Sequence, residues 1–146
     1  MEENEPIKNI DMSIPHLFSV GGEKSETGEL RYWENNELFP KGIQRCFWVF
    51  DVDNQKTRGN HAHKTEHQVI VAMHGEIQVK MINLSGEEFE FSLTNPAEAL
   101  LIPPLHWIKT VFGKGAVLLG MTNEVFSEAD YIRDWSYFER MQKRNA

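Results

Sequence analysis

The sequence predicts an all-β fold, an antiparallel sandwich or barrel, followed by one C-terminal α-helix. Three observations carry this reading. Short stretches rich in β-branched and aromatic residues recur between residues 16 and 122, and most alternate apolar with polar positions. Turn-forming residues separate them at near-regular spacing: Gly21-Gly22, Asp53-Asn54, His74-Gly75, Ser85-Gly86, Asn95-Pro96 and Gly113-Lys114-Gly115. Only residues 128–143 change period, with Ile132, Trp135, Phe138 and Met141 three apart and basic residues gathered near the end, which predicts a helix.

Taken in order, residues 1–15 are polar, hold two prolines, and suit an N-terminal arm or a first edge strand. Residues 16–20 read as a short strand, 23–28 as a polar loop, and 29–34 alternate weakly. Phe39-Pro40-Lys41-Gly42 reads as a turn before the strong strand 43–52 (IQRCFWVFDV). After the turn at 53–56 comes a histidine-rich segment, then 67–73 with Val69, Val71 and Met73 on one face. Residues 76–82 turn Ile77, Val79 and Met81 inward, and 88–93 alternate through Phe89, Phe91 and Leu93. Pro103-Pro104 separates 98–102 from 105–112, and 116–122 completes the series. Closing such strands on one another removes exposed sheet edges.

With 146 residues the chain suits one domain, 1–146, able to bury roughly two-thirds of its unfolded surface. The net charge of −7 speaks against a nucleic-acid partner, and any anionic ligand needs a local basic pocket. A single cysteine, Cys46, excludes an internal disulfide and Cys-rich zinc motifs. The acidic N-terminus lacks the apolar run of a signal peptide, and no stretch has the length of a spanning helix. A cytoplasmic protein with no membrane partner is the expectation.

The chemistry concentrates in one place. Three of the six histidines fall within residues 61–67. His61 and His63 are two apart in a strand-like stretch, so their rings point to one face. Histidine both moves protons near neutral pH and binds metals, so the pair suits a proton shuttle or a metal site. His67 is in phase with them only if the strand runs straight through residue 65.

The run Arg58-Gly59-Asn60-His61-Ala62-His63-Lys64, followed by His67 and Gly75, resembles the first motif of the cupins. That resemblance implies a jelly-roll β-barrel of RmlC-like type. In metal cupins the motif supplies ligands together with a later histidine, which sets His61, His63, His67 and His106 as an alternative metal set, or three imidazoles with Glu66 as the acidic ligand. The longer run RGNHAHKTEHQVIVAMHGEIQV closely resembles the WxcM-like nucleotide-sugar 3,4-ketoisomerases, which act on dTDP-4-oxo-6-deoxyglucose. Residues 43–51, 99–104 and 128–133 (EADYIR) resemble further stretches of that family in the same order.

The resemblance implies a sugar carbonyl moved from C4 to C3 through an enediol-like intermediate, with no metal and no cofactor. His61 and His63 are then the two catalytic residues, and the family favours His61 as the base that serves C3 and C4. Such base catalysis is worth roughly 10²–10⁴-fold. The ligand expected is a nucleotide-diphosphate sugar, dTDP-linked, and the assembly a homodimer. Arg58 and Arg45 are the candidate phosphate partners, since a guanidinium fork suits phosphate oxygens. Phe47, Trp48, His106 and Trp107 are the remaining candidate substrate contacts. Phe47-Trp48 stand where the family has two tyrosines, and His106-Trp107 reverse its Trp-His order. A metal-dependent small-molecule cupin enzyme and a non-catalytic nucleotide-sugar-binding cupin are the alternative functions.

Overall fold

The computed structural model describes residues 10–34 and 38–146. The arm expected over residues 1–15 therefore lies mostly outside the described residues. The first strands in chain order are β1 (His16–Ser19), β2 (Gly21–Ser25), β3 (Gly28–Tyr32), β4 (Arg45–Val49), β5 (Thr57–His63) and β6 (Gln68–His74). Then come β7 (Ile77–Asn83), β8 (Glu88–Leu93), β9 (Glu98–Ile102), β10 (His106–Phe112), β11 (Val117–Thr122) and β12 (Tyr131–Ile132), before helix α1 (Trp135–Asn145).

Two five-stranded antiparallel sheets face each other, in the orders β1-β9-β6-β11-β4 and β12-β5-β10-β7-β8. Sequence neighbours β5 and β6 lie in opposite sheets, so residues 64–67 cross the mouth between them. This is the jelly-roll arrangement expected of a cupin. The space between the sheets is filled by Ile70, Ala72, Ile77, Val79, Leu93, Leu100, Phe112 and their neighbours. A second core lies on the outer face of the first sheet, where Phe18, Val20, Leu38 and Phe39 cover Val69, Val71, Ala99 and Leu101.

That second core corrects one face assignment. In β6, Val69 and Val71 do share a face, but Ile70 and Ala72 on the other face are equally buried, and Met73 is exposed. A strand covered on both sides needs a continuous apolar run rather than alternation. A second correction concerns residues 23–28, where Gly21–Ser25 and Gly28–Tyr32 pair as a hairpin of their own.

The C-terminal helix is shorter than residues 128–143. Glu128–Asp130 form one 3₁₀ turn, and Tyr131–Ile132 pair with β5, Tyr131 opposite His63 and Ile132 opposite Ala62. The helix begins only after Asp134, whose carboxylate accepts a hydrogen bond from the Ser136 N–H at 2.9 Å. Ile132 and Phe138 do share one core with Ala62, but Ile132 reaches it from a strand. The helix packs over the outer face of β5, and so anchors the strand that carries both histidines.

Candidate functional site

A cavity of about 400 Å³ opens between the two sheets, lined among others by Arg45, Phe47, Arg58, His61, Gln68 and Tyr131. Its wall is shaped by a β-bulge in β5. His61 faces Ile108 and Gly59 faces Lys109, so Asn60 is the extra residue. Both bulge residues are left-handed, Gly59 at φ +90° and Asn60 at φ +60°. A Cβ on Gly59 would come 2.9 Å from the Ile108 carbonyl oxygen, so only glycine fits. The inserted residue shifts the strand's phase. Arg58 opposite Thr110 and His61 opposite Ile108 therefore share the inner wall although they are three residues apart.

His61 is half-buried, and its ring stands edge-on to that of His63 with centroids 5.1 Å apart. Burial pushes its pKa below the usual imidazole value, and the nearby Arg133 cation adds to this against a hydrogen bond that the imidazole N–H donates to the Gly59 backbone. His61 is thus neutral at neutral pH, with a lone pair available at the cavity wall.

His63 is only 5 % exposed and lies behind this wall. Its Nδ1 donates to Asp130 Oδ2 at 3.2 Å. Its Nε2 lies 3.2 Å from Glu66 Oε2 and 3.2 Å from the Gln68 amide nitrogen. Burial, reinforced by His61, pushes its pKa down to about 4, although Asp130 opposes the shift. Asp130 also accepts from the Thr65 N–H at 2.9 Å, the Thr65 hydroxyl at 2.7 Å and the Glu66 N–H at 3.2 Å. Burial alone would raise the Asp130 carboxyl, but these donors outweigh it and hold it ionised below the usual range. One carboxylate therefore fixes both the β5–β6 crossing and the His63 ring. Tyr131 completes the cluster, its ring 4.2 Å from His63 and 5.0 Å from His61.

The opposite wall is cationic and aromatic. Arg45 stacks 5.0 Å from the Phe47 ring centre and 5.2 Å from that of Phe126. Its Nη1 is buried with no hydrogen-bond partner among the described residues. Phe47 lies against Gly120, where a Cβ would collide with the ring. On the His61 side, Arg133, held by Glu128 at 2.6 Å, lies over Tyr131 at 4.0 Å and joins Arg58, so the cavity is lined by three guanidiniums, with Arg45 facing the other two.

Other expected residues fall elsewhere. Trp48 is 65 % exposed on the outer face of β4. Trp107 packs edge-on against Trp135 at 5.2 Å and beside Phe138, under the helix. His106 is buried inside the barrel, where its Nδ1 donates to the Pro104 carbonyl at 2.8 Å and its ring meets Phe89. His67 turns away at the crossing, with Nε2 3.2 Å from the Met12 carbonyl and Nδ1 3.4 Å from the Asn123 amide. The four histidines of the alternative metal set thus do not converge. Among the described residues no group of three or more His, Cys, Asp or Glu side chains could hold a metal ion.

Sequence reasoning reached Glu66 only as an alternative metal ligand and missed Gln68, Asp130, Tyr131 and Arg133. The EADYIR stretch was a usable signal for three of them, but reading it as helix placed it outside the barrel.

Comparison with known proteins agrees with this architecture. The sequence model of a family described as FdtA, WxcM-like, C-terminal, matches residues 11–143. A TDP-4-oxo-6-deoxy-alpha-D-glucose-3,4-oxoisomerase from Aneurinibacillus thermoaerophilus is 31% identical over 114 residues, covering 77% of this chain and 81% of that protein. The fold superposes with TM-score 0.82 on QdtA, a sugar 3,4-ketoisomerase from Thermoanaerobacterium thermosaccharolyticum solved in complex with TDP. That match has 30% identity and covers 90% of this chain and 96% of the other. WlaRB, a TDP-quinovose 3,4-ketoisomerase from Campylobacter jejuni, is 30% identical with TM-score 0.78 over 92% and 99% of the two chains.

Proposed function

The chain belongs to the FdtA family of WxcM-like, C-terminal domains, and from that premise we propose that it is a TDP-sugar 3,4-ketoisomerase. The substrate is a TDP-linked 4-oxo-6-deoxyhexose and the product its 3-oxo isomer. The reaction is internally redox-neutral, since C3 is oxidised as C4 is reduced, so it calls for no redox cofactor.

The observation that carries this reading is one cavity holding a neutral imidazole, His61, beside three guanidiniums. A neutral imidazole can accept the C3 proton, which the adjacent ketone makes acidic. The electron pair moves to form the C3–C4 double bond of the enediol. His61 then returns the proton to C4 as the oxygen on C3 becomes the carbonyl. The hydroxyl proton of C3 must meanwhile reach the oxygen of C4. His63 serves this step once a sugar oxygen displaces the Gln68 amide from its Nε2, because Gln68 itself lines the cavity. The unpartnered Arg45 Nη1 supports an anion in this pocket, and Arg58 supports the diphosphate from the β5 side. Phe47 gives the sugar an apolar platform.

The same reading places the enzyme in the cytoplasm as a homodimer. Among the described residues no helix is long and apolar enough to cross a membrane. The β2–β3 hairpin forms a two-stranded sheet that leaves Leu30 61 % and Tyr32 53 % exposed, and an isolated hairpin is marginal in water. A second copy covering it would supply the missing contacts.

Incubation with TDP-4-oxo-6-deoxyglucose carrying ¹³C at C4 tests the function. The carbonyl resonance of C4 should fall as a hydroxyl-bearing carbon replaces it and a carbonyl at C3 appears. A spectrum unchanged over hours at micromolar enzyme would contradict the proposal.

A further inference from the structure

The hydrogen bonds around His63 fix which way the Gln68 amide faces. Asp130 is an ionised acceptor, so Nδ1 of His63 carries the hydrogen between them and Nε2 is a lone pair. The Gln68 amide nitrogen lies 3.2 Å from that Nε2 and 2.7 Å from Glu66 Oε2, and gives one hydrogen to each. Turned over, the amide would aim its carbonyl oxygen at two acceptors, so the network sets its orientation. Both donors are spent inside the wall, and Oε1 lies on the amide's other side.

That oxygen has no hydrogen-bond partner among the described residues. Nor is it sealed in the core: among the described residues, the buried side-chain nitrogens and oxygens left without a partner are Arg45 Nη1 and His106 Nε2. Gln68 is 7 % exposed and lines the cavity, so Oε1 opens into it. The other groups around the cavity do not duplicate this acceptor. Arg45, Arg58 and Arg133 only donate, and Thr110 turns its hydroxyl to the Arg58 carbonyl at 3.2 Å. Gln68 carries the one side-chain carbonyl in the lining among the described residues.

We propose that Gln68 Oε1 accepts a hydrogen bond from the C2 hydroxyl of the sugar, so that Gln68 distinguishes a C2-hydroxylated hexose from its 2-deoxy counterpart. This rests on the ketoisomerase reading, and the chemistry of that substrate makes the choice. A 4-oxo-6-deoxyhexose joined through C1 to a diphosphate keeps two hydroxyls, on C2 and C3. The C3 hydroxyl passes its proton through Nε2 of His63, displacing the amide hydrogen there. The C2 hydroxyl, one carbon along, is the donor that remains. The shorter bond, to Glu66, holds the amide during that exchange and keeps Oε1 toward the sugar. An analogue without the hydroxyl leaves this oxygen unpaired once the ligand has displaced water. The C2 substituent does not change during the reaction, so the contact acts on KM more than on kcat.

The test compares kcat/KM for TDP-4-oxo-6-deoxyglucose and TDP-4-oxo-2,6-dideoxyglucose in the wild type and in Gln68→Met, which is similar in length but has neither acceptor nor donor. The wild type should favour the hydroxylated sugar by about tenfold or more, mostly through KM. Gln68→Met also loses the amide beside His63, so its rates fall on both sugars, but its preference should shrink below about threefold. A purely structural role would lower both sugars alike and leave the preference intact, and that result would overturn the proposal. So would a wild-type preference below about threefold, a result that needs no variant. In both cases turnover of TDP-4-oxo-6-deoxyglucose leaves the ketoisomerase reading standing. A wild type that turns over neither sugar overturns that reading and the proposal together.

Discussion

Replacing Asp130 with asparagine perturbs the joint on which the site depends. Four donors converge on its carboxylate: the Thr65 N–H and hydroxyl on Oδ1, and the Glu66 N–H and His63 Nδ1 on Oδ2. Asparagine can keep the pair from Thr65 but then turns an amide NH₂ toward the other two. The Glu66 N–H is left without an acceptor, at about 1–3 kcal/mol for a buried donor. His63 must give up its Nδ1 proton to accept from the new amide, which forces the other tautomer and loses a charge-assisted bond of similar worth. The sum is a destabilisation of about 2–6 kcal/mol. At roughly 2–4 °C per kcal/mol for a chain of this size, the melting temperature should fall by about 4–24 °C. Circular dichroism melting of the two proteins measures this. Activity should fall at least about tenfold, because the tautomer at His63 is wrong even in the folded fraction. A variant that melts within 2 °C of wild type and turns over normally would refute the role given to Asp130.

Other outcomes follow from the same geometry. Arg45→Met removes a guanidinium with a buried, unpartnered nitrogen, so the ligand-free protein should lose little stability. Its gain in melting temperature on adding TDP should instead drop to a small fraction of the wild-type gain, as differential scanning fluorimetry would record. For pH, the lowered pKa of His63 means the unfolded chain binds the proton more tightly than the folded one. Stability from this group is complete above about pH 6.5 and is lost as pH falls toward 4, by roughly 3 kcal/mol in total. Urea titrations at pH 4 and 7, compared with the same pair for His63→Gln, isolate that contribution.

The strands and turns were legible because each rests on local chemistry. Alternation in 76–82 and 88–93 maps directly onto β7 and β8, and the glycines at 75, 86 and 115 onto the turns before β7, β8 and β11. Period-two geometry also shows why two candidate pairs could never both line the cavity. Phe47 and Trp48 are adjacent on β4, so one faces in and the other out. His106 and Trp107 divide the same way on β10. What was not legible depends on contacts between distant parts of the chain. The link from Asp130 to His63 spans 67 residues and leaves no local trace. The bulge at Gly59-Asn60 was equally hidden. A straight strand would put Arg58 and His61 on opposite faces, and only pairing with β10 shows the phase shift that unites them. In the C-terminal segment, the three-residue apolar spacing came from one core reached by a strand and a helix in turn.

The most direct test of the central claim follows the proton that His61 is held to carry between C3 and C4. TDP-4-oxo-6-deoxyglucose incubated with wild-type enzyme in D₂O should acquire deuterium at the sugar carbons as it isomerises, and mass spectrometry with ¹H NMR reads both. His61→Asn should bind TDP with near wild-type affinity yet lose incorporation by roughly 10²–10⁴-fold. Undiminished deuterium incorporation by His61→Asn, or no isomerisation by the wild type, would contradict the account.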